Sequence, residues 1–425
     1  MSAQTKSNQK NQSNKQKNNQ NGGTPNGWVI TALASVPFIM VLGNSMLIPI
    51  LPTLKKVMDL SQVQSSLIIT LFSVPAGLVI PFAGILSDRI GRKKVIIPSL
   101  ILYGAGGLVA GIALMIKASS AFPWVMTGRV IQGIGAAGTA PIAMALVSDM
   151  FIKRERSKVL GLIEASNGMG KVVSPILGSA LALLTYLSLF FVFPALTVLI
   201  IILFAWAIKE PENKQEPPPF RQYWRSIVEI FKNQWKWLIV AFLAGAITLF
   251  ILFGVLFYLS DLLEKKYKID GIIKGLILAI PLLAMVTSSY LTGRLIKQKI
   301  TLMKWLIVIG LLVLGCVNIF FPFTTNRVLF ISVLAVGGLA SGLILPCLNM
   351  LITSSVDSEE RGIITSLYGS VRFLAVAAGP PFFSALMDNK KLLFWSIGAT
   401  SIVIGLAAWW LIKPDRIKRA LEEKS

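Results

Sequence analysis

The sequence predicts an all-α polytopic membrane protein, with twelve transmembrane helices arranged as two pseudo-symmetric six-helix bundles. Three observations predict it. First, 54% of the 425 residues are hydrophobic and only 14% are charged, whereas a soluble domain carries about a quarter charged residues. Second, the apolar residues come in long blocks, matching the ~20 residues a helix needs to cross a bilayer, rather than as one face of an amphipathic pattern. Third, the second half of the chain repeats the first. One constant offset lays Gly133 on Gly338, Pro141 on Pro346, Glu155-Arg156 on Glu360-Arg361, Pro175 on Pro380 and Ser179-Ala180-Leu181 on Ser384-Ala385-Leu386, with no gap.

The elements follow in order. Residues 1–27 are rich in Lys, Asn, Gln and Ser, too polar to bury a core, and read as a disordered tail without a cleavable signal peptide. Six spans are expected at 28–51, 62–86, 94–116, 121–149, 158–184 and 186–208, making the first bundle, 28–208. Segment 209–236 is the longest internal polar break, and Pro211 and Pro217-Pro218-Pro219 end the sixth span there. After them Phe220, Trp224, Ile227, Ile230 and Phe231 recur at helical spacing, which predicts an interfacial amphipathic helix in the linker. Six further spans at 237–262, 273–297, 301–322, 327–353, 361–387 and 391–413 make the second bundle, 237–413, before a tail at 414–425.

The net charge of +22 is spread over many short loops instead of one face, which argues against a nucleic-acid partner. The densest basic loops, 89–94 and 153–158, lie on the same side as both tails and the linker. By the positive-inside rule that side is cytoplasmic. Cys316 and Cys347 both sit in apolar runs, and are expected to serve packing rather than a disulfide. The chain has no histidine, so the usual near-neutral proton carrier is missing and a metal site is not expected. No glycine-rich phosphate loop with its lysine is present. An enzyme, a cofactor and ATP-driven pumping are therefore all unsupported.

Between the second and third spans runs Gly84-Ile85-Leu86-Ser87-Asp88-Arg89-Ile90-Gly91-Arg92-Lys93-Lys94, a short, basic, glycine-punctuated connection. It resembles the signature loop of the major facilitator superfamily, Gly-x-Leu-Ala/Ser-Asp-Arg-x-Gly-Arg-Lys-x. The resemblance implies the major facilitator fold, with a substrate site between the two bundles near mid-membrane. It also implies a cytoplasmic gate built from Gly84, Asp88, Arg89, Gly91 and Arg92, in which Asp88 and Arg92 join an acid at the end of the fourth span, here Asp149. That network would lock the cytoplasmic side while the cavity faces outward. The loop from Gly293-Arg294-Leu295 to Lys304 is a degraded copy, lacking the acid and the second glycine.

In the fourth span, Arg129-Val130-Ile131-Gln132-Gly133-Ile134-Gly135-Ala136-Ala137 places a cation inside the bilayer, which is costly and faces a cavity or a partner unless it snorkels to the nearby end. The stretch resembles a family motif whose arginine is linked to proton transfer. Gly133, Ala136 and Ala140 form a row of small residues suited to helix packing. In the fifth span Glu164, Gly168, Lys171, Pro175 and Gly178 fall on one stripe. The segment Gly170-Lys171-Val172-Val173-Ser174-Pro175-Ile176-Leu177-Gly178-Ser179 resembles the antiporter motif Gly-x-x-x-Gly-Pro-x-x-Gly-Gly, with serine for two glycines. This is most similar to the twelve-helix drug:proton antiporters, and Lys171 departs from their pattern.

Glu164 alone among the carboxylates lies well inside a span. Without histidine it is the candidate proton carrier, alternating between a proton and a cationic partner, either Lys171 or a substrate cation; a static charge pair is the alternative. Arg129, Glu164 and Lys171 are thus the candidate proton-coupling residues. Asn44, Asn349 and Arg372 are candidate cavity contacts. Phe250, Phe253, Phe257 and Asp261 share a face in the seventh span, a pattern that favours packing over a substrate wall. The expected protein is a monomeric, proton-coupled exporter of small amphipathic compounds in a bacterial cell membrane, working by alternating access. A metabolite, sugar or glycolipid porter of the same fold and a non-transporting sensor or assembly factor are the alternatives.

Overall fold

The computed structural model describes residues 27–117, 120–151, 153–210, 220–296, 299–324, 326–354 and 361–414. The expected tails, apart from Gly27 and Pro414, lie outside these residues. So do the prolines of the linker and the repeat partner of Glu155, Glu360.

Fourteen α-helices are seen among the described residues, and no strands. The first span is α1 (Gly27–Ser45), followed by a short 3-10 turn at Ile48–Ile50 and α2 (Leu51–Val57). Pro49 and Pro52 lack the N–H needed to carry α1 on without a break. Next come α3 (Gln62–Ile90), capped by a reciprocal Ser61–Gln64 capping box, and α4 (Arg92–Lys117). The fourth span, expected as one helix, is broken into α5 (Phe122–Ala137) and α6 (Ala140–Met150). Gly138 lies so close to Ser99 of α4 that a Cβ there would overlap its hydroxyl, and Pro141 cannot donate back to α5.

The first half closes with α7 (Lys153–Ala182) and α8 (Ser188–Ala207). The linker departs from expectation. Phe220 opens a single 46-residue helix, α9 (Phe220–Lys265), so the predicted interfacial helix and the seventh span are continuous. No proline or glycine separates Phe231 from Trp237. The second half continues with α10 (Gly271–Ile296), α11 (Ile300–Phe320), α12 (Arg327–Ser354), α13 (Arg361–Leu386) and α14 (Lys390–Leu411).

Among the described residues, eleven helical stretches are long and apolar enough to cross a membrane. The fifth predicted span, α7, is long enough at 30 residues, but Glu164, Asn167, Lys171 and several glycines and serines make it too polar to be recognised by composition. It lies instead between α1 and α10. Large apolar side chains such as Leu199, Ile202, Trp206 and Trp410 are exposed around the bundle, as a lipid-facing belt requires. Cys347 is buried as expected; Cys316 is exposed instead, on the outside of α11.

The internal repeat is realised in packing. A Cβ on Gly133 would overlap the Phe72 carbonyl of α3, and one on Gly338 would overlap the Pro281 carbonyl of α10. The repeated glycine therefore lets the fourth span approach the second, and the tenth approach the eighth. The halves meet along two seams, α3 against α13 and α7 against α10. In the first, Thr70 donates to the Ala377 carbonyl at 2.7 Å and Ser370 donates to the Gly77 carbonyl. In the second, Gly275 sits against the carbonyl of Pro175.

Candidate functional site

The chain enters α4 through a turn at Gly91, whose φ of +105° is open to glycine and strained for other residues. Arg92 then reaches back to Asp88 at 2.5 Å and across to Asp149 at 3.1 Å, and donates to the Ser87 hydroxyl at 2.7 Å. The sequence-predicted triad is thus assembled, at the ends of α3, α4 and α6. All three members belong to the first half, so the network does not itself cross to the second. Gly84 makes the cross-half approach at this end, packing against Ser366 of α13. Arg89 is exposed.

Sequence reasoning missed two neighbours of this network. Glu210, just beyond α8, accepts from the backbone N–H groups of Arg92 and, at 3.1 Å, Lys93, placing a carboxylate on the positive N-terminal end of α4. Lys93 in turn donates to the Ala205 and Ile208 carbonyls at 2.7 and 2.6 Å, satisfying the C-terminal end of α8. The pairing spans more than a hundred residues of sequence, and no local pattern marks it.

Arg129 is fully buried rather than snorkelling. Its Nε donates to the Ile68 carbonyl at 2.8 Å, and its Nη1 to the Gly43 carbonyl at 2.9 Å and Gln132 Oε1 at 2.6 Å. The guanidinium lies 4.5 Å from the centre of the Phe72 ring. One cation thereby binds α1, α3 and α5 together. Its hydrogen-bond partners are carbonyls and an amide; neither Glu164 nor Lys171 is among them.

On α7 the structure divides the predicted stripe. Gly170 and Gly178 face α1, against Phe38 and the Met46 carbonyl, with Ser174 between them. Gly178 therefore leaves the row to which spacing assigned it. Gly168 faces Val286, and Pro175 and Ser179 face Gly275, all on α10. At about 100° per residue, Glu164 and Lys171 fall in the sector between these two packed rows, at the boundary between the halves, and Asn167 falls within the row that faces α1. Glu164 is exposed and Lys171 half-buried. Neither is in a salt bridge, so the static Glu164–Lys171 pair is not formed, although Lys171 lies within electrostatic reach of both Glu164 and Arg372. Arg372, from α13, donates to Asn349 Oδ1 of α12 at 3.3 Å and lies 5.4 Å from the Tyr368 ring centre. Of the predicted cavity residues, Arg372 and Asn349 are thus joined directly, within the second half. Asn44 is buried on α1 with its Oδ1 unpartnered. Phe250 packs on Phe382 and Phe383, and Phe253 and Phe257 are buried, as the packing reading expects.

The opposite end holds a network that the sequence did not reveal. Glu264 of α9 accepts from Lys56 of α2 at 2.6 Å and from Lys274 of α10 at 2.9 Å. Lys274 is completely buried. Nearby, the Ser260 hydroxyl donates to the Ile48 carbonyl at 2.8 Å. Both Lys56–Glu264 and Ser260–Ile48 join the first half to the second. Charges this close to span ends read as ordinary interfacial residues, which is why Glu264 and Lys274 drew no notice.

The family model for the Major Facilitator Superfamily matches residues 33–380 and 304–425. The chain belongs to this superfamily. It is 43% identical over 399 residues to the bacillibactin exporter of Bacillus subtilis (strain 168), covering 93% of this chain and 98% of the relative. It is 25% identical over 395 residues to multidrug resistance protein 2 of the same organism, covering 91% and 96%. Among solved structures, a bacterial homologue of the human lysosomal transporter Spinster, in an inward-facing and unoccupied conformation, superposes with a TM-score of 0.71 at 16% identity, covering 92% of this chain and 97% of that one. The superfamily member described here is a multi-pass membrane transporter and not an enzyme.

Proposed function

We propose that this transporter is a proton-coupled exporter of small amphipathic compounds, working by alternating access in a bacterial cell membrane with the Gly84–Lys94 end cytoplasmic. Glu164 carries this reading: a carboxylate inside a span, unpaired, at the boundary between the halves and within electrostatic reach of Lys171. An intramembrane acid in such a place is a functional group by default. Arg129 serves by fixing α1, α3 and α5 around it, and the Arg92 network by holding the cytoplasmic end of the first half. The likeness to the bacillibactin exporter and to multidrug resistance protein 2 supports export and makes bacillibactin the first compound to test.

The test is flux of bacillibactin into everted membrane vesicles under an imposed pH gradient, acidic inside. Gradient-driven uptake is expected, lost in Glu164→Gln while gradient-independent exchange of substrate across the membrane persists. Intact gradient-driven uptake in that variant removes Glu164 from the coupling, and absence of any gradient-dependent flux across a broad panel of compounds sinks the exporter reading.

A further inference from the structure

The first turns of α9 lie outside the span that follows them. The part of this helix apolar enough to cross a membrane begins at Gln234, whereas the helix itself begins at Phe220. In a straight helix Phe231 and Phe242 would stand about 16 Å apart along the axis. Their ring centres are 6.1 Å apart. The helix therefore bends where the span meets the bilayer surface, with both rings on the inside of the bend. The arm before the bend turns away from the span axis, and its Phe231 side faces back toward the membrane.

At about 100° per residue, Trp235 and Val228 follow Phe231 around this arm, and Lys232, Arg225 and Lys236 come next, in one narrow sector. Val228 and Trp235 are 62% and 51% exposed. The three cations are exposed and, among the described residues, none is in a hydrogen bond or ion pair; Lys236 lies 5.6 Å from the Trp235 ring centre. From Phe220 to Lys236 the sequence holds four cations and one acid, Glu229. An exposed apolar edge flanked by an exposed basic edge, at the surface end of a span, suits a helix seated in a headgroup layer.

We propose that this arm of α9 is a binding site for anionic phospholipids. Val228 and Trp235 enter the layer beneath the headgroups, and Arg225, Lys232 and Lys236 hold the lipid phosphates. The guanidinium fork accepts a phosphate through two parallel bonds, and the lysines act as point charges. Anionic lipid is favoured over zwitterionic lipid because it answers the net charge of the arm. The seat reaches into the second half: the Phe242 ring centre lies 5.4 Å from that of Tyr368 on α13, and the Arg372 guanidinium lies 5.4 Å from the Tyr368 ring centre. A bound headgroup thus steadies the first helix of the second half. The site concerns the lipid around the transporter and is independent of cargo and coupling ion.

The experiment uses the full chain with Cys316→Ser, Cys347→Ser and Val228→Cys, labelled at residue 228 with bimane and purified in an uncharged detergent. Short-chain phosphatidylglycerol, short-chain phosphatidylcholine and polyglutamate are titrated in separately. Phosphatidylglycerol is expected to shift the bimane emission saturably to the blue, more weakly as salt is raised, with little response to the other two. Arg225→Gln, Lys232→Gln and Lys236→Gln should each raise the half-saturating concentration about five-fold, the worth of one basic residue at an anionic surface, and the triple variant about a hundred-fold. Lys232→Arg should retain binding. Size-exclusion profiles report folding, which substitutions at exposed positions should leave intact, and the Arg variant reads the charge requirement without removing charge. An equal response to both lipids would reduce the arm to an apolar anchor and overturn the headgroup site. So would no response to either lipid, or Gln variants that bind as the parent does. A shift produced equally by polyglutamate would assign the face to an acidic protein partner instead.

Discussion

The two ends of the helix bundle are tied by inverse arrangements. At the Gly84–Lys94 end one cation, Arg92, lies between two carboxylates, Asp88 and Asp149. At the other end one carboxylate, Glu264, lies between two cations, Lys56 and Lys274. The first network stays within the first half, and its acids are 31% and 40% exposed. In the second, the pair that crosses between the halves, Lys56–Glu264, has its lysine 70% exposed, and the buried pair, Lys274–Glu264, lies within the second half with its lysine 1% exposed. Solvated pairs are weak and shape a surface, whereas a buried charge must keep its partner. The Lys56–Glu264 pair is therefore the charged contact that must part when its end opens, while the Lys274–Glu264 pair and the Arg92 network each stiffen one half as the halves move.

That contrast ranks the substitutions. Glu264→Gln should have the largest effect, because it strands a buried lysine; the cost is of order 3–5 kcal/mol, read as a fall in melting temperature of the detergent-solubilised protein. A loss no greater than that of an exposed pair would erase the difference between the ends. Gly275→Ala comes next. Its Cβ would stand 2.5 Å from the Pro175 carbonyl oxygen, forcing apart the α7–α10 seam at a cost of about 1–3 kcal/mol and lowering transport more than stability. Arg92→Gln should cost up to about 1 kcal/mol while slowing flux, and a drop in melting temperature equal to that of Glu264→Gln would place both networks in one class. Glu210→Gln should have the smallest effect, about 0.3–1 kcal/mol, since it keeps acceptors for the α4 N-terminus but loses the charge that favours it; raising the salt concentration should mimic it.

Much of the fold was legible because it follows from periods and repeats. Block lengths and polar breaks marked all twelve spans, among them α7, which falls outside the eleven stretches apolar enough to cross a membrane by composition. Gly133 reads as a packing residue, and both it and its repeat partner Gly338 leave no room for a Cβ against α3 and α10. The Asp88–Arg92–Asp149 network was readable because the signature loop sets two members four residues apart, across the Gly91 turn, and the family resemblance supplied the third.

The rest depends on tertiary geometry. The break between α5 and α6 arises where α4 crowds Gly138, which no sequence window contains. Gly178 was assigned to the wrong row because spacing gives angles around a helix but not which neighbour occupies each side. Glu210 and Glu264 each find partners far away in sequence, across helices whose ends the chain order does not bring together. Arg372 was legible as a candidate cavity contact; that its buried Nε is left without a partner needed the structure.

The most direct test of alternation between these ends is a pair of distances measured by double electron–electron resonance in a cysteine-free background. One label pair, at Asp59 and Lys268, reports the Glu264 end; the other, at Lys94 and Lys299, reports the basic end, and all four positions are exposed. Glu264→Gln should lengthen the first distance and shorten the second in the same sample. Unchanged distributions at both ends, or a lengthening at both, would contradict a Glu264 tie that holds one end shut while the other is open.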